Sequence, residues 1–417
     1  MSWRDRVLDL RPLRRSRPFR ELWIGSSLGA FGHQVATVAV LAQVWDLTRS
    51  PLWTGAIGLA TGVPMMLFGL LGGSLADAVN RTTLVRCTTT GQLLAAAGLS
   101  AQALGGNRDV LLLLALVAVH TACAGLGAPA RRTFPVLLLP ADQVAAGLAL
   151  QNIAFQAAML VGPALAGVVL AGWGYPAAYA VQAGSAAVAL AAVFRLPALL
   201  PGTGDGPRRP QRGGWRTTWQ RPAIRGSLAT DLAATALAMP MALFPVINEL
   251  RYGSDPSVLG LFFSAVAVGG IAAGLLSGAI TRHRRSGLVQ LGAAFVWGLA
   301  LAGFGLAAPL WLALGCLAVA GAADTTSVIT RAALIQLETP DEHRGRVSSV
   351  EHVIGFAGPE LGNFRGGALA ALWSAPVALV AGGLSAALAV AAVAATHRPL
   401  RAYGPPTPPA EPVPEPT

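Results

Sequence analysis

The feature that most constrains this chain is a series of long apolar runs, which follow one another from Leu22 to Thr396 with short polar breaks between them. A helix needs about 20 apolar residues to cross the hydrocarbon core of a bilayer, and each run approaches that length. Only 12% of the residues are charged, whereas soluble domains carry about 25%. Because lipid offers the backbone no hydrogen-bond partners, we expect an all-α integral membrane protein.

The 417 residues are enough for about twelve spans joined by short turns. The first apolar run does not look like a signal peptide, because it lacks a short apolar core followed by a cleavage site of small residues. We therefore expect this run to be retained as a helix. The predicted spans are roughly 21–45, 52–76, 84–104, 110–128, 143–171, 176–195, 223–248, 257–280, 287–307, 309–330, 346–372 and 375–396.

All 30 basic residues are arginine, and the formal net charge is +11. With the N-terminus placed in the cytoplasm, all but four arginines fall in the leading segment, the cytoplasmic loops or the tail. The exceptions are Arg49, Arg108 and Arg251 in the opposite loops and Arg365 within a span. This asymmetry follows the positive-inside rule and explains the basic charge without a nucleic-acid partner. We predict a multi-pass protein of a bacterial inner membrane, with both termini cytoplasmic and no bound nucleic acid.

Composition divides the chain into a cytoplasmic basic N-terminal segment (1–20), two six-helix bundles (21–195 and 223–397), a cytoplasmic linker (196–222) and a tail (398–417). The linker is rich in Pro, Gly and Arg with few apolar residues, which is typical of a flexible connection. The tail is rich in proline and cannot form a packed core, so we expect it to be disordered.

The two predicted bundles repeat each other. Arg131 and Arg331 each precede a proline by nine residues, in the predicted cytoplasmic loop before a long span. The spans that follow, the fifth and the eleventh, share a Gly-Pro step at Gly162 and Gly358. Transporters of this size commonly consist of two repeated halves with the substrate site between them near the membrane midplane. A channel or a membrane enzyme does not require such a repeat.

The loop between the second and third predicted spans reads Gly-Ser-Leu-Ala-Asp-Ala-Val-Asn-Arg from Gly73 to Arg81. It resembles the G-x-L-A-D-R-x-G-R signature of the major facilitator superfamily, in the branch of enterobactin exporters and similar secretion and efflux proteins. The chain departs from the signature at Ala78 and at Asn80, which can still adopt a positive φ. The resemblance implies two pseudo-symmetric six-helix bundles. It also implies that Gly73, Asp77 and Arg81 form a conformational gate and do not bind substrate.

The fifth predicted span contains Gly162, Pro163 and Gly167, which resemble the G-P-x-x-x-G segment found in antiporters and exporters of the same superfamily. The proline removes a backbone hydrogen bond and is expected to bend the helix. The arginine that many proton-linked antiporters carry in the fourth span has no counterpart, since His120 is the ionisable side chain there.

A charge at bilayer depth costs at least ~2.5 to 3.5 kcal/mol, so ionisable residues within the spans are candidates for substrate binding or proton coupling. Asp231 in the seventh span is the first candidate for coupling, and His33 in the first span has a titration range suited to proton exchange. The alternative for His33 is a neutral histidine that is hydrogen-bonded within the helix bundle.

Three further candidates are Asp324, Glu360 and Arg365. Asp324 can alternatively reach water or the loop arginines at the cytoplasmic side. Glu360 and Arg365 are five residues apart, which is about 140° of helix rotation, so each is expected to find a partner on a different span.

These patterns predict a secondary-active exporter that works by alternating access as a proton antiporter, with a siderophore, drug or similar small amphipathic metabolite as cargo. The alternatives are an importer of a small metabolite and a non-transporting scaffold or sensor. We expect no enzyme, because no nucleophile and base can be named, and no ATP site of the Walker type, because the chain contains no Lys. The isolated cysteines suggest neither a metal site nor a cofactor, and we expect a monomer in the bilayer.

Overall fold

The computed structural model describes residues 9–196, 218–278, 285–339 and 344–404. Most of the predicted linker and most of the predicted tail therefore lie outside the described residues, as do residues 1–8 of the N-terminal segment.

The first half of the chain (the N-half) forms helices α1 to α6. Their bounds are α1 Arg17–Thr48, α2 Pro51–Ala78, α3 Arg81–Leu104 and α4 Val110–Leu138, followed by one long helical stretch, Ala141–Phe194. Gly174 interrupts this stretch with φ 72° and ψ −169°, a conformation that favours glycine, so we divide it into α5 (141–173) and α6 (175–194).

The second half (the C-half) forms helices α7 to α12. The first, α7 Pro222–Tyr252, consists of an α-helix (Pro222–Ala238), a 3-10 turn (Met241–Leu243) and a second α-helix (Phe244–Tyr252). The break falls at Pro240, which has no backbone N–H to continue the helix. The others are α8 Pro256–Leu275, α9 Ser286–Leu306, α10 Leu310–Glu338, α11 Arg344–Leu372 and α12 Ala375–Thr396.

The fold class is confirmed: the described chain is helical and contains no strand. Nine described segments are both long and apolar enough to cross a membrane, with Ala141–Phe194 counted as one of them. The other two, α3 and α11, have the length but carry more polar residues, so apolarity alone does not give the predicted twelve spans.

Two helices extend well beyond their predicted spans. α4 was expected to end near 128 and α10 near 330, but they end at Leu138 and Glu338. Each stops just before a proline, Pro140 or Pro340, because a proline disfavours helical backbone in the residue before it. Arg131 and Arg331 were expected in loops and instead lie within the last turns of these helices.

The helix packing repeats between the halves. Within the N-half, α1 packs on α5 and α6, α2 on α4, and α3 on α4 and α6. Within the C-half, α7 packs on α11 and α12, α8 on α10, and α9 on α10 and α12. These pairs correspond when each helix number in the first half is increased by six, which is the pseudo-symmetry that the sequence repeat predicts.

The chain after α12 differs from the predicted tail, which begins at 398. Residues Arg398–Arg401 form a short helix, and Leu400 is fully buried. The backbone N–H of Gly287 at the start of α9 donates to the carbonyl of Tyr403 at 3.2 Å. The proline-rich segment begins only at Pro405. Before it, the buried side chain of Leu400 holds the chain against the helix bundle.

The bundle has two chemically different ends. We call the end that carries the α2–α3, α4–α5 and α10–α11 connections the arginine-rich end, because Arg81, Arg131, Arg132 and Arg331 lie near it. The end that carries the α1–α2, α5–α6 and α7–α8 connections is called the opposite end.

Candidate functional site

The halves contact each other between the middle of the helix bundle and the opposite end. Small residues allow α2 to approach α11: a side chain added at Gly58 would come within 2.6 Å of the carbonyl oxygen of Glu360. The same holds for α5 and α8, where a side chain at Gly167 would meet the carbonyl of Pro256 at 2.8 Å. In addition, the Ser264 hydroxyl donates to the Leu160 carbonyl at 3.0 Å.

A polar cluster closes the opposite end between α1 and α7. The guanidinium of Arg49 forms an ion pair with Glu249, and the indole N–H of Trp45 donates to the same carboxylate. Arg49 also lies 3.3 Å from Asp46, whose carboxylate accepts a hydrogen bond from the Tyr175 hydroxyl. Both members of the Arg49–Glu249 pair are partly exposed, so this pair can exchange with water when the halves separate.

A cavity lies between the halves on the inner side of this closure. We call it the central cavity, and its volume is about 130 Å³. Its walls are mainly apolar, with a few converging polar groups, which is the composition of small-molecule sites in general. The polar groups come from α1, α2, α4, α6 and α11 and are His33, Thr37, Thr54, Thr61, His120, Thr121, Gln182, Glu360 and Asn363.

The imidazoles of His33 and His120 face each other in the central cavity. Their rings are stacked with centroids 5.8 Å apart, and Nε2 of His120 lies 3.1 Å from the amide nitrogen of Gln182. The Glu360 carboxylate interacts with the side chains of Thr61 on α2 and Asn363 on α11. The structure thus brings the predicted candidates His33 and Glu360 to one cavity and adds His120.

Asp231 and Asp324 lie elsewhere, in a group within the C-half in which Asp231 is buried and Asp324 is partly buried. Asp231 on α7 forms an ion pair with Arg331 on α10, and Nε of Arg331 lies 3.4 Å from Glu351 on α11. Asp324 on α10 is within electrostatic range of both Asp231 and Arg331. We call these four residues the C-half cluster.

Arg365 belongs to neither group. Its guanidinium donates to the backbone carbonyl of Leu237 on α7, close to Gly382 on α12. Leu237 lies just before the break in α7, where the helix loses a backbone donor. Arg365 therefore satisfies an acceptor at a helix end, while Glu360, five residues earlier on α11, faces the N-half.

The signature segment between α2 and α3 is only partly described. Gly73 lies in the last turns of α2 and Arg81 begins α3, whereas the side chain of Asp77 falls outside the description. Asn80 does not adopt the positive φ that the signature's glycine would allow, since its φ is −58°. Its side chain instead caps α3, accepting from the N–H of Thr82 at 2.9 Å.

The Gly-Pro segment of α5 is a packing surface. Backbone angles stay helical through Pro163, and a side chain at Gly162 would meet Cβ of Gln34 on α1 at 2.6 Å. On the other side of α5, a side chain added at Gly260 of α8 would come within 2.4 Å of the Pro163 carbonyl oxygen. Gly162, Pro163 and Gly167 therefore bring α5 close to α1 and to the C-half.

Comparison with known proteins agrees with this geometry. Residues 9–417 match a protein family described as Transmembrane secretion effector. The chain belongs to this family of major facilitator superfamily transporters. It is 26% identical over 381 residues to Enterobactin exporter EntS of Citrobacter koseri and 24% identical over 380 residues to that of Shigella boydii, with 90% of both chains covered in each case.

Solved structures show the same fold at low sequence identity. The nucleoside transporter NupG aligns with a TM-score of 0.72 and 15% identity over 90% of this chain and 99% of its own. A D-xylose-proton symporter aligns with a TM-score of 0.72 and 13% identity, over 92% and 99%. A bacterial homologue of ferroportin in an inward-facing state gives 0.68 and 16%, over 90% and 98%. Because residues 9–417 match this transporter family, the protein is a multi-pass membrane transporter and not an enzyme.

Two features of this transporter were not identified as sites from its sequence. The Arg49–Glu249 pair joins the α1–α2 connection to α7 in the other half, and no periodic signal connects these two residues. Arg331 was assigned to a loop, although it follows Asp324 by seven residues. That spacing places two residues on one helix face, and it was the available signal for the C-half cluster.

Proposed function

We propose that this transporter exports a small amphipathic organic molecule, such as a siderophore, drug or secondary metabolite, by alternating access in exchange for protons. The observation that carries the proposal is the central cavity between the halves, where Glu360, His33 and His120 converge among apolar walls. Apolar surface suits the body of such a cargo, and the few polar groups can orient it.

The direction of transport is supported by the relatives and by the charge asymmetry. Two relatives are named as enterobactin exporters, and the description of the family refers to secretion. The positive-inside rule places the arginine-rich end, and with it both termini and the linker, in the cytoplasm. The closure at the opposite end then faces away from the cytoplasm, so the state described here would load cargo from the inside of a bacterial inner membrane.

Proton coupling is supported by the position of Glu360. Its backbone and side chain lie against Gly58 and Gly62 of the other half, so this carboxylate is covered when the halves close on each other. Covering a charge costs more than covering a neutral acid. Gain or loss of a proton would therefore change the free energy of closure, which is what an antiporter needs.

The remaining predicted residues would serve the conformational change. Gly73, Asp77 and Arg81 would form the gate near the arginine-rich end, as the signature implies. Gly162, Pro163 and Gly167 would keep α5 close to α1 and α8 during the motion. The transporter would act as a monomer in the lipid bilayer.

Proteoliposomes that contain pyranine test this function. We expect external enterobactin, or ethidium as a drug probe, to enter while protons leave, which raises the internal pH. Glu360→Gln should reduce the coupled flux by about tenfold or more, which corresponds to about 1.4 kcal/mol or more. Asp142→Asn, an exposed carboxylate outside the cavity, is the matched control and should transport normally. Absence of cargo-dependent proton movement in the unmodified protein would contradict the proposal.

A further inference from the structure

A second cavity lies between the halves at the opposite end. Its volume is about 250 Å³, and we call it the end cavity. Its walls come from α1, α5 and the α5–α6 connection in the N-half, and from α7, the α7–α8 connection and α8 in the C-half. Among the described residues, it shares no lining residue with the central cavity. Because both halves supply its walls, the end cavity keeps its shape only while this end is closed.

The lining of the end cavity runs from solvent into the protein. Asp46 on α1 and Ser254 in the α7–α8 connection are its exposed residues, so the cavity opens to solvent beside them. Leu170 on α5 and Leu259 on α8 are buried and supply apolar surface. A small molecule can therefore enter from the aqueous phase and place an apolar part against these side chains.

The charges beside the end cavity are unbalanced. Asp46 is the charged side chain among the described residues of the lining. It lies 3.3 Å from Arg49, which is also the ion-pair partner of Glu249. Arg251, further along α7, donates instead to the carbonyl of Ala307 at 2.6 Å, at the end of α9. Two carboxylates therefore share one guanidinium here, and a positively charged ligand would balance them.

Aromatic side chains lie next to this negative charge. The Tyr175 hydroxyl donates to the Asp46 carboxylate, and Trp45, which also lines the cavity, precedes Asp46 in α1. Aromatic rings attract cations, and they suit alkylammonium groups, whose charge is covered by apolar carbon. No group of three or more His, Cys, Asp or Glu side chains in the described part of the chain could hold a metal ion. The lining therefore fits an organic cation better than a metal ion.

An unused hydrogen-bond acceptor adds a second requirement. Asn248 on α7 lines the end cavity and is only 3% exposed. Its Nδ2 donates to the Asp255 carbonyl at 2.9 Å, whereas its Oδ1 is buried without a partner among the described residues. A buried acceptor without a donor is unfavourable. A ligand that carries a hydrogen-bond donor as well as a positive charge would serve both Asn248 and Asp46.

We propose that the end cavity is a binding site for a small alkylammonium ion that carries a hydrogen-bond donor, and that the bound cation holds the opposite end closed. The charge lies at Asp46 of the N-half and the donor at Asn248 of the C-half. A ligand that needs both halves favours the state in which they are together. Since alternating access requires this end to open, the cation inhibits transport without entering the central cavity. The site requires neither a particular cargo nor proton coupling.

Binding of choline to the full-length protein in uncharged detergent micelles tests the site. Choline has a quaternary ammonium group and a hydroxyl donor. Its neutral analogue, 3,3-dimethylbutan-1-ol, keeps the shape and the hydroxyl but has no charge. Saturation-transfer NMR measures the binding of both, with empty micelles as the blank. We expect saturable choline binding and about fivefold or more weaker binding of the alcohol. Absence of saturable choline binding, or equal binding of the alcohol, overturns the inference.

Variants show whether choline occupies the end cavity. Asp46→Asn removes the charge and Asn248→Leu removes the acceptor, so each should weaken choline binding by about fivefold or more. Ser254→Asp adds a carboxylate at the exposed side and should strengthen binding by about two- to fivefold, a gain that a misfolded protein cannot show. Aspartate tolerates the φ of 62° at this position. Ser254→Asn and Asp142→Asn are the controls and should bind as the unmodified protein does. Unchanged affinity in Asp46→Asn, Asn248→Leu or Ser254→Asp overturns the assignment.

Closure is measured as a distance across the opposite end. Full-length protein with its three cysteines replaced by serine is spin-labelled at Arg108→Cys and Ala308→Cys, which lie in the α3–α4 and α9–α10 connections of different halves. Pulsed EPR reports the distance between the labels. We expect choline to increase the shorter-distance population in the otherwise unmodified protein and to leave it unchanged in Asp46→Asn. A shorter-distance population that saturating choline does not raise contradicts the proposal that the cation holds this end closed.

Discussion

At the scale of single residues, the buried ionisable groups have distinct tasks because their neighbours differ. Glu360 faces glycines of the other half, where its charge bears on the closure between halves. Arg365, on the same helix, is occupied by a backbone carbonyl at the break of α7. Asp231 has an arginine partner of its own. Ionisable residues at similar depth can therefore lie at the closure, cap a helix end or form an ion pair, depending on the helix that each one faces.

His397 gives a residue-scale prediction outside the spans. Burial, and then the positive charge of Arg225, lower the pKa of His397 below its usual 6.5. Its Nδ1 is buried without a partner beside Gly226. Because the undocked segment binds a proton more readily, docking of residues 398–404 should be strongest above pH 6.5 and weaken as the pH falls below it.

Hydrogen exchange of residues 398–404, corrected for the intrinsic pH dependence of exchange, checks this. Faster corrected exchange is expected at acid pH in the unmodified protein and not in His397→Asn, whose side chain does not titrate. Equal pH dependence in both proteins would show that another group controls the docking.

At the scale of helices, the closure of the opposite end depends on the contact between α1 and α7. The Arg49–Glu249 pair is partly exposed, and pairs of that kind contribute about 0.2 to 1 kcal/mol. We expect Arg49→Gln and Glu249→Gln each to speed labelling of a Thr37→Cys reporter in the central cavity by about two- to fivefold. The label is a membrane-impermeant maleimide added from the side of the opposite end.

A double-mutant cycle distinguishes the Arg49–Glu249 interaction from effects that each residue has on its own. The variant with both substitutions should label no faster than either single variant, because the pair is already broken in each. Arg108→Gln, an arginine at the same end, is the control. If the fold increase in labelling rate of the double variant equals the product of the two single-variant increases, a direct interaction across the closure is ruled out.

The helices also show what could be predicted from the sequence. Apolar runs and the arginine asymmetry are enough to predict the fold class, because the apolar length of a span and the charge of a loop can each be judged for one segment at a time. The predicted ends of α4 and α10 are too early because the prediction places Arg131 and Arg331 in loops, whereas one face of each helix end, at Phe134 and at Leu334, is buried. Which acid meets which arginine depends on helix rotation and on close approaches such as that at Gly358, which a single sequence does not specify.

At the scale of the whole molecule, the two halves are joined at one end, with the central cavity on the inner side of that closure. The C-half cluster lies nearer the arginine-rich end: Asp231 is nine residues into α7, about 14 Å along its axis. Glu360 is sixteen residues into α11, about 24 Å along it.

The direction of transport is the central claim, and opposite membrane orientations test it directly. Everted and right-side-out vesicles from cells that lack other siderophore exporters are energised by respiration and given radiolabelled enterobactin. Export in exchange for protons predicts accumulation in everted vesicles, which collapses when nigericin dissipates the pH gradient. Accumulation confined to right-side-out vesicles, or accumulation in everted vesicles that survives nigericin, would contradict the account.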